Sequence, residues 1–243
     1  MLSLSAEGVW EGFGHISEAP RDSVAAAFDE FVGTLSDIPP QCRQQKVKAL
    51  TEKAVKNDDD FAVFAEIAEN RLYRPDSSSD TEDIFILFLK EFVELPCISE
   101  ETKIRPAYQL ERAQKNRPGH AAADFGFALR DGSESSLYEV INDCATTIFL
   151  VFYDPDCEHC RELMDELSAK KMPDSLKVLA IYSGDEADLW KETAAALPSE
   201  WLVGYDGGTI VDEDIYAIRY TPAIYVIDKD KIVVNKDLHS LPF

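Results

Sequence analysis

Residues 146–153 read Thr-Thr-Ile-Phe-Leu-Val-Phe-Tyr, eight positions without a charge, each β-branched, aliphatic or aromatic or both. Such a run suits a strand buried on both faces, and that strand needs a packed layer on each side. Leu176 to Tyr182 is a second run of this kind. Between and after them, Cys157 to Lys170 and Glu186 to Ala196 carry amphipathic helical patterns, and Trp201 to Tyr205 is a short strand. Val211 to Ile218 reads as a short helix. Ala223 to Ile227 and Ile232 to Val234 read as two strands joined by a tight turn at Asp228 to Lys231. Ahead of the first buried run, Phe125 to Leu129 alternates, Asp131-Gly132 is a hairpin turn signal, and Ser135 to Val140 is the returning strand. Strand, helix, strand, helix and a closing hairpin make an α/β plan with a mixed sheet.

Upstream the pattern is helical. Val24, Ala27, Phe28, Phe31, Val32 and Leu35 recur at helical spacing within Ser23 to Leu35, and Pro39-Pro40 breaks the run. Gln41 to Val55 is the next helix, with Val47, Leu50 and Ala54 inward. Asp58-Asp59-Asp60 supplies caps and first-turn acids for a third helix, through Phe61, Phe64, Ile67 and Leu72. After a loop at Pro75 to Ser79, the strongly apolar segment Thr81 to Leu95 is a fourth. Ser99-Glu100-Glu101 opens a fifth, which runs to Arg117 and stops at Pro118-Gly119. The reading is a helical bundle over residues 1–118 and an α/β domain over 119–243.

Lys plus Arg number 24 against 46 Asp plus Glu, a formal charge of -22. So acidic a surface repels phosphate backbones and anionic headgroups, which argues against nucleic acid and acidic membranes as partners. No apolar run approaches the roughly 18 residues that a membrane-spanning helix needs. Met1 to Ser5 is followed by Glu7 and Glu11, so no signal peptide is read there.

Five cysteines, Cys42, Cys97, Cys144, Cys157 and Cys160, are too few for a disulfide scaffold, and their odd number leaves a thiol over. Cys157 and Cys160 form a CxxC in Asp154-Pro155-Asp156-Cys157-Glu158-His159-Cys160, where the first buried strand hands over to a helix. A cysteine at a helix N-terminus meets unpaired N–H groups and the positive end of the dipole, which stabilise a thiolate. Cys160 lies one turn on, inside the helix, close enough to close a disulfide with little backbone movement. Cys157 is then the attacking sulfur and Cys160 the resolving one. His159, between them, lowers their pKa if protonated. Cys42, Cys97 and Cys144 are read as bystander thiols, and His15, His120 and His239 are scattered and form no metal set.

Pro222, in Arg219-Tyr220-Thr221-Pro222-Ala223, directly precedes a strand about 60 residues after the CxxC. Proline cannot occupy the middle of a central strand, so it marks the first position. Asp156 to Cys160, Thr221-Pro222 and the hairpin around Ile227 to Ile232 together resemble the thioredoxin-like disulfide reductases of bacterial envelopes. Phe125 to Tyr138 is similar to their additional N-terminal hairpin. Ile38-Pro39-Pro40 and Lys103 to Leu110 resemble a helical domain of unknown function that precedes such modules in Bacteroides-type proteins.

The resemblance implies an α/β thioredoxin-like fold, a mixed sheet flanked by helices, behind an N-terminal all-α domain. It implies a cis Thr221–Pro222 bond facing the sulfurs, with Thr221 presenting backbone groups to a substrate. It also implies a disulfide-containing protein substrate, an upstream thiol reductant, no cofactor beyond the cysteine pair, and a place in the cell envelope. Four departures stand out. Asp156 occupies a usually aromatic position and should raise the Cys157 pKa. Asp154, Asp156 and Glu158 make an anionic rim that favours basic substrates. Val151 stands where the family places a buried acid, and Asp237 to Phe243 is too short for the fold's terminal helix. Two readings follow, a thiol–disulfide oxidoreductase or a non-catalytic binding module on the same fold. Peroxidase chemistry fits less well, because Asp154 stands where a threonine is wanted. Metal delivery through a reduced CxxC is a fourth reading.

Overall fold

The computed structural model describes the backbone of residues 10–74, 79–144 and 146–236. The readings that concern Met1 to Ser5, the loop at 75–78, His239 and the end at 237–243 lie outside the described residues. So does the side chain of Cys144. The chain divides into two compact units, Met1–Ala113 and Gln114–Phe243.

The first unit holds a 3-10 turn at Ile16–Glu18 and five helices: α1 (Arg21–Leu35), α2 (Pro40–Ala54), α3 (Asp58–Leu72), α4 (Ser79–Glu94) and α5 (Glu100–Ala113). Pro40 opens α2 at the position where a missing N–H costs nothing. The core is aromatic: Phe28, Phe64, Phe85, Phe88 and Phe92 are at most 1% exposed. Their rings meet edge to face, Phe28 with Phe64 at 5.6 Å and Phe64 with Phe88 at 5.7 Å. The cap of α3 is Asn57, whose side chain accepts from Asp60 N at 2.8 Å. Asp60, one of the three first-turn acids, is fully buried. Its carboxylate accepts from His15 Nδ1 (2.9 Å), Ser17 N (3.0 Å), Ser17 Oγ (2.7 Å) and Lys56 N (3.3 Å), tying the 3-10 turn to the start of α3.

Helix α5 ends at Ala113, four residues before the expected Arg117. Lys115 and Asn116 are engaged elsewhere. Lys115 Nζ reaches Asp214 Oδ2 at 3.0 Å, and Asn116 donates to Ile215 O at 2.9 Å while accepting from Ala123 N at 2.7 Å. Asn116 also has φ +48°, which ends a helix and which asparagine tolerates.

The second unit carries β1 (Gly126–Leu129), β2 (Glu134–Ser136), α6 (Leu137–Cys144), β3 (Thr147–Tyr153), α7 (Glu158–Ala169), β4 (Leu176–Tyr182), α8 (Ala187–Ala194), β5 (Leu202–Tyr205), α9 (Thr209–Asp212), β6 (Ala223–Ile227) and β7 (Val233–Lys236). The strands form one mixed sheet in the order β2-β1-β5-β4-β3-β6-β7. The β3–β4 and β4–β5 pairs are parallel and the others antiparallel. Strand β3 is interior and buried on both faces. Ile148, Leu150 and Phe152 pack with Phe125, Ile141, Tyr216 and Tyr225, while Phe149, Val151 and Tyr153 pack with Met164, Leu167, Trp190 and Trp201.

Two segments differ from expectation. Ser135 to Val140 is mostly not strand, because β2 stops at Ser136 and α6 begins. The cause is a capping box: Ser136 N donates to Glu139 Oε2 at 3.0 Å, and Glu139 N to Ser136 Oγ at 3.3 Å. Leu137, Val140 and Ile141 then bury one helical face. Replacing Ser136 with Ala should cost about 1 kcal/mol, measurable by denaturant unfolding.

Nor is Val211 to Ile218 a helix. Asp206 takes the N–H groups of Gly208 and Ile210 and starts a single turn at Thr209. Asp214, at φ +50°, then breaks it. Residues 214–216 are held by Lys115, Asn116 and the bond from Tyr216 to Ala123 O at 2.7 Å. Among the described residues no helix is long and apolar enough to cross a membrane.

Candidate functional site

Strand β3 ends at Tyr153, and the turn after it delivers Cys157 to the N-terminus of α7. Asp154 shapes this turn: its carboxylate accepts from Asp156 N at 2.9 Å, and its carbonyl from Cys157 N at 3.1 Å. Cys157 is the N-cap residue and half-buried, with extended backbone at φ -79°, ψ 123°. Cys160, one turn further, is 1% exposed and packs among Phe149, Val151 and Met164. Both are free thiols.

On the other side, β6 enters the sheet next to β3. The Thr221–Pro222 bond that precedes it is cis. Because Ala223 pairs with Phe152, the residue at the mouth of β6 lies opposite the end of β3. Cys157 Sγ donates to Thr221 O at 3.4 Å. Two segments more than 60 residues apart thus meet at one sulfur.

The two thiols differ in acidity for identifiable reasons. Burial alone would push Cys157 up, but hydrogen bonds from the Cys160 N–H, the Cys160 thiol, Thr221 and the His159 N–H outweigh it, leaving Cys157 below its ordinary value. Burial pushes the Cys160 thiol up to about 12, only partly offset by the Asp154 N–H that reaches its sulfur at 3.4 Å. At this helix N-terminus the lowering expected from unpaired N–H groups prevails over the opposition expected of Asp156. Its carboxylate is exposed and is not among the groups that set the sulfur's acidity, whereas first-turn N–H groups are.

The other residues named from the sequence fall as follows. Glu158 is the first helical residue and is exposed. His159 is exposed, its ring 3.4 Å from Glu162 Oε2, so it serves the sulfur through its backbone N–H and not its imidazole. Val151 is buried among apolar side chains and puts no carboxylate near Cys160. The sequence reading passed over Tyr153. It is 3% exposed, ends β3, and its hydroxyl has no hydrogen-bond partner among the described residues. A polar atom closing an otherwise apolar strand was the available signal. Among the described residues, no group of three or more His, Cys, Asp or Glu side chains is arranged to hold a metal ion.

An asymmetric pair of this kind should alkylate in order. With the reduced protein, the rate at Cys157 should rise through a midpoint below that of an ordinary free thiol. Cys160 should stay unreactive until far higher pH. Iodoacetamide labelling read by peptide mass checks this, and earlier labelling of Cys160 would reverse the two roles.

Residues 18–116 match a family described as Domain of unknown function (DUF5106). A solved thioredoxin-like protein from Bacteroides caccae is 28% identical, with a TM-score of 0.81 over 96% of this chain and 88% of its own. The C-terminal domain of an uncharacterized protein from Bacteroides fragilis is 32% identical over 51% of this chain and 91% of its own, with a TM-score of 0.47. The thioredoxin domain of a thiol-disulfide oxidoreductase from Bacteroides vulgatus is 16% identical over 51% and 89%, with a TM-score of 0.40. No curated protein matches the chain. The α/β unit thus has a thioredoxin-like fold, residues 18–116 ahead of it match the DUF5106 helical domain, and the chain is similar to thioredoxin-like proteins of Bacteroides.

Proposed function

We propose that the chain is a thiol–disulfide oxidoreductase that reduces protein disulfides through Cys157 and Cys160. The observation that supports this is the opposite displacement of the two thiols at one helix N-terminus, Cys157 below its ordinary value and Cys160 up to about 12. The Cys157 thiolate attacks one sulfur of the substrate disulfide. A mixed disulfide forms and the first substrate thiolate leaves, taking a proton from solvent. Cys160 then gives up its proton and attacks Cys157 Sγ. The second substrate thiol departs, and a Cys157–Cys160 disulfide remains. Two electrons have passed to the substrate, and an upstream dithiol reductant must return them. The Thr221 carbonyl beside the sulfur is placed to accept a hydrogen bond from an extended substrate backbone. The cell-envelope location belongs to this reading and rests on resemblance.

A reading as a non-catalytic binding module draws on Val151. With no carboxylate acting on Cys160, the proton must leave it to solvent or to the departing thiolate, which slows resolution. Insulin reduction separates the two. The oxidoreductase reading expects thiol-dependent precipitation of the B chain by the intact protein and none by Cys157→Ser. Equal, background rates for both would leave only the binding module.

A further inference from the structure

We infer that the cavity beside Cys160 is a substrate subsite that takes a lysine or arginine side chain lying next to the substrate's reactive cysteine; this rests on the oxidoreductase reading. The cavity measures about 390 Å³ and opens between α7 and the segment formed by α8 and residues 196–197. Cys160 forms part of its wall, so whatever enters it lies beside the resolving cysteine, one helical turn from Cys157. Tyr153, Met164 and Leu197 supply an apolar lining that suits methylenes.

The charges around that lining are unbalanced. Asp154, Asp165 and Glu192 line the cavity against one cation, Arg161, whose guanidinium already donates to Pro155 O at 3.0 Å. Asp165 comes from α7 and Glu192 from α8, so the carboxylates approach from both walls. An apolar stem with a cationic tip satisfies both features, whereas an acidic side chain meets an excess of negative charge.

A second observation is independent of the carboxylates. Tyr153 is 97% buried and lines the same cavity, yet its hydroxyl has no partner among the described residues. Buried hydroxyls are almost always paired, so an unpaired one in a residue that lines a cavity is left to pair with a donor entering there. Burial keeps the phenol protonated at neutral pH, so its oxygen is a neutral acceptor for an ammonium or guanidinium N–H.

The test uses three disulfide-linked peptides that differ only beside the cysteine, with lysine, norleucine or glutamate there. For the intact protein, kcat/KM should favour lysine over norleucine by roughly threefold to tenfold, the size expected of one or two partly screened ion pairs, with glutamate last. The preference should shrink as salt shortens the screening length to about 8 Å and below. In Asp165→Asn/Glu192→Gln the lysine preference should vanish while the norleucine peptide keeps its rate. Equal rates for all three peptides, or a preference that survives the double substitution, overturns the subsite and leaves the oxidoreductase reading standing. Anisotropy with the S-methylated lysine peptide gives the converse. Binding that is lost in the double variant, without turnover of any disulfide, keeps the subsite and removes the oxidoreductase. Neither binding nor turnover removes both.

Discussion

Substituting Cys160 with Ser is expected to stop the protein at the mixed disulfide, leaving a stable adduct between Cys157 and its substrate, while Cys157→Ser forms none. Turnover should fall by at least about a hundredfold in each variant, since each removes a covalent step that no neighbouring group replaces. The two failures differ in kind. Without Cys157 there is no sulfur lowered by the first-turn N–H groups of His159 and Cys160. Without Cys160 the attack proceeds and only the release is lost. Non-reducing gels followed by peptide mass spectrometry distinguish them. An adduct on Cys157→Ser, or none on Cys160→Ser with a substrate that the intact protein reduces, would exchange the assigned roles. Because Cys160 must deprotonate from a value near 12, the resolving step should also quicken as pH rises across the neutral range.

The largest stability effect is expected in the helical unit. Asp60 is fully buried and receives four hydrogen bonds from His15, Ser17 and Lys56. Asp60→Ala leaves those donors facing a void and should cost about 3–5 kcal/mol. In a helical unit of this size that corresponds to a fall of order 10–25 °C in its midpoint. Burial raises the Asp60 carboxyl, but the donors of Ser17 and His15 outweigh it, so in the folded chain it lies below the ordinary carboxylate range. The sign follows from that direction. The ionised carboxylate favours the folded state. Its contribution is complete above the unfolded value near 3.9 and is lost as pH falls through the lower folded value. Thermal unfolding followed by circular dichroism should therefore show intact protein and Asp60→Ala far apart at pH 7 and converging in strong acid. A constant gap across that range would show that the charge is not what matters.

The sequence was informative wherever one physical constraint dominated. Residues 146–153 read as a strand covered on both sides, and the CxxC after it as the start of a helix. Five amphipathic patterns became five helices. The sequence was misleading where a short polar contact decided the outcome. Ser136 and Glu139 have the spacing of a capping box, but they follow a hairpin signal and so read as its returning strand. The segment after Asp206 contains apolar residues at helical spacing, yet Asp214 in a left-handed conformation and bonds from Lys115 and Asn116, about 100 residues away, hold it as a strap. No local pattern carries such a tie. At the site, the meeting of Cys157 with Thr221 was implied by the resemblance to thioredoxin-like proteins, while Pro222 by itself marked only the start of a strand. The lowered pKa of Cys157 was legible from its place at a helix N-terminus, whose N–H groups prevail over the opposition expected of Asp156. Tyr153 escaped notice. Whether a buried hydroxyl finds a partner depends on what surrounds it in space.

The central claim is that Cys157 and Cys160 are one two-electron redox couple. The direct measurement is to equilibrate the full chain in a series of thiol–disulfide redox buffers, quench with alkylating agent, and read each cysteine by peptide mass. The account predicts that Cys157 and Cys160 pass together from two alkylated thiols to one internal disulfide in a single transition. Its potential should lie in the range of about -120 to -270 mV spanned by thioredoxin-like proteins, with Cys42 and Cys97 alkylated throughout. Independent behaviour of the two sulfurs, or a pair that stays reduced across the series, would contradict it.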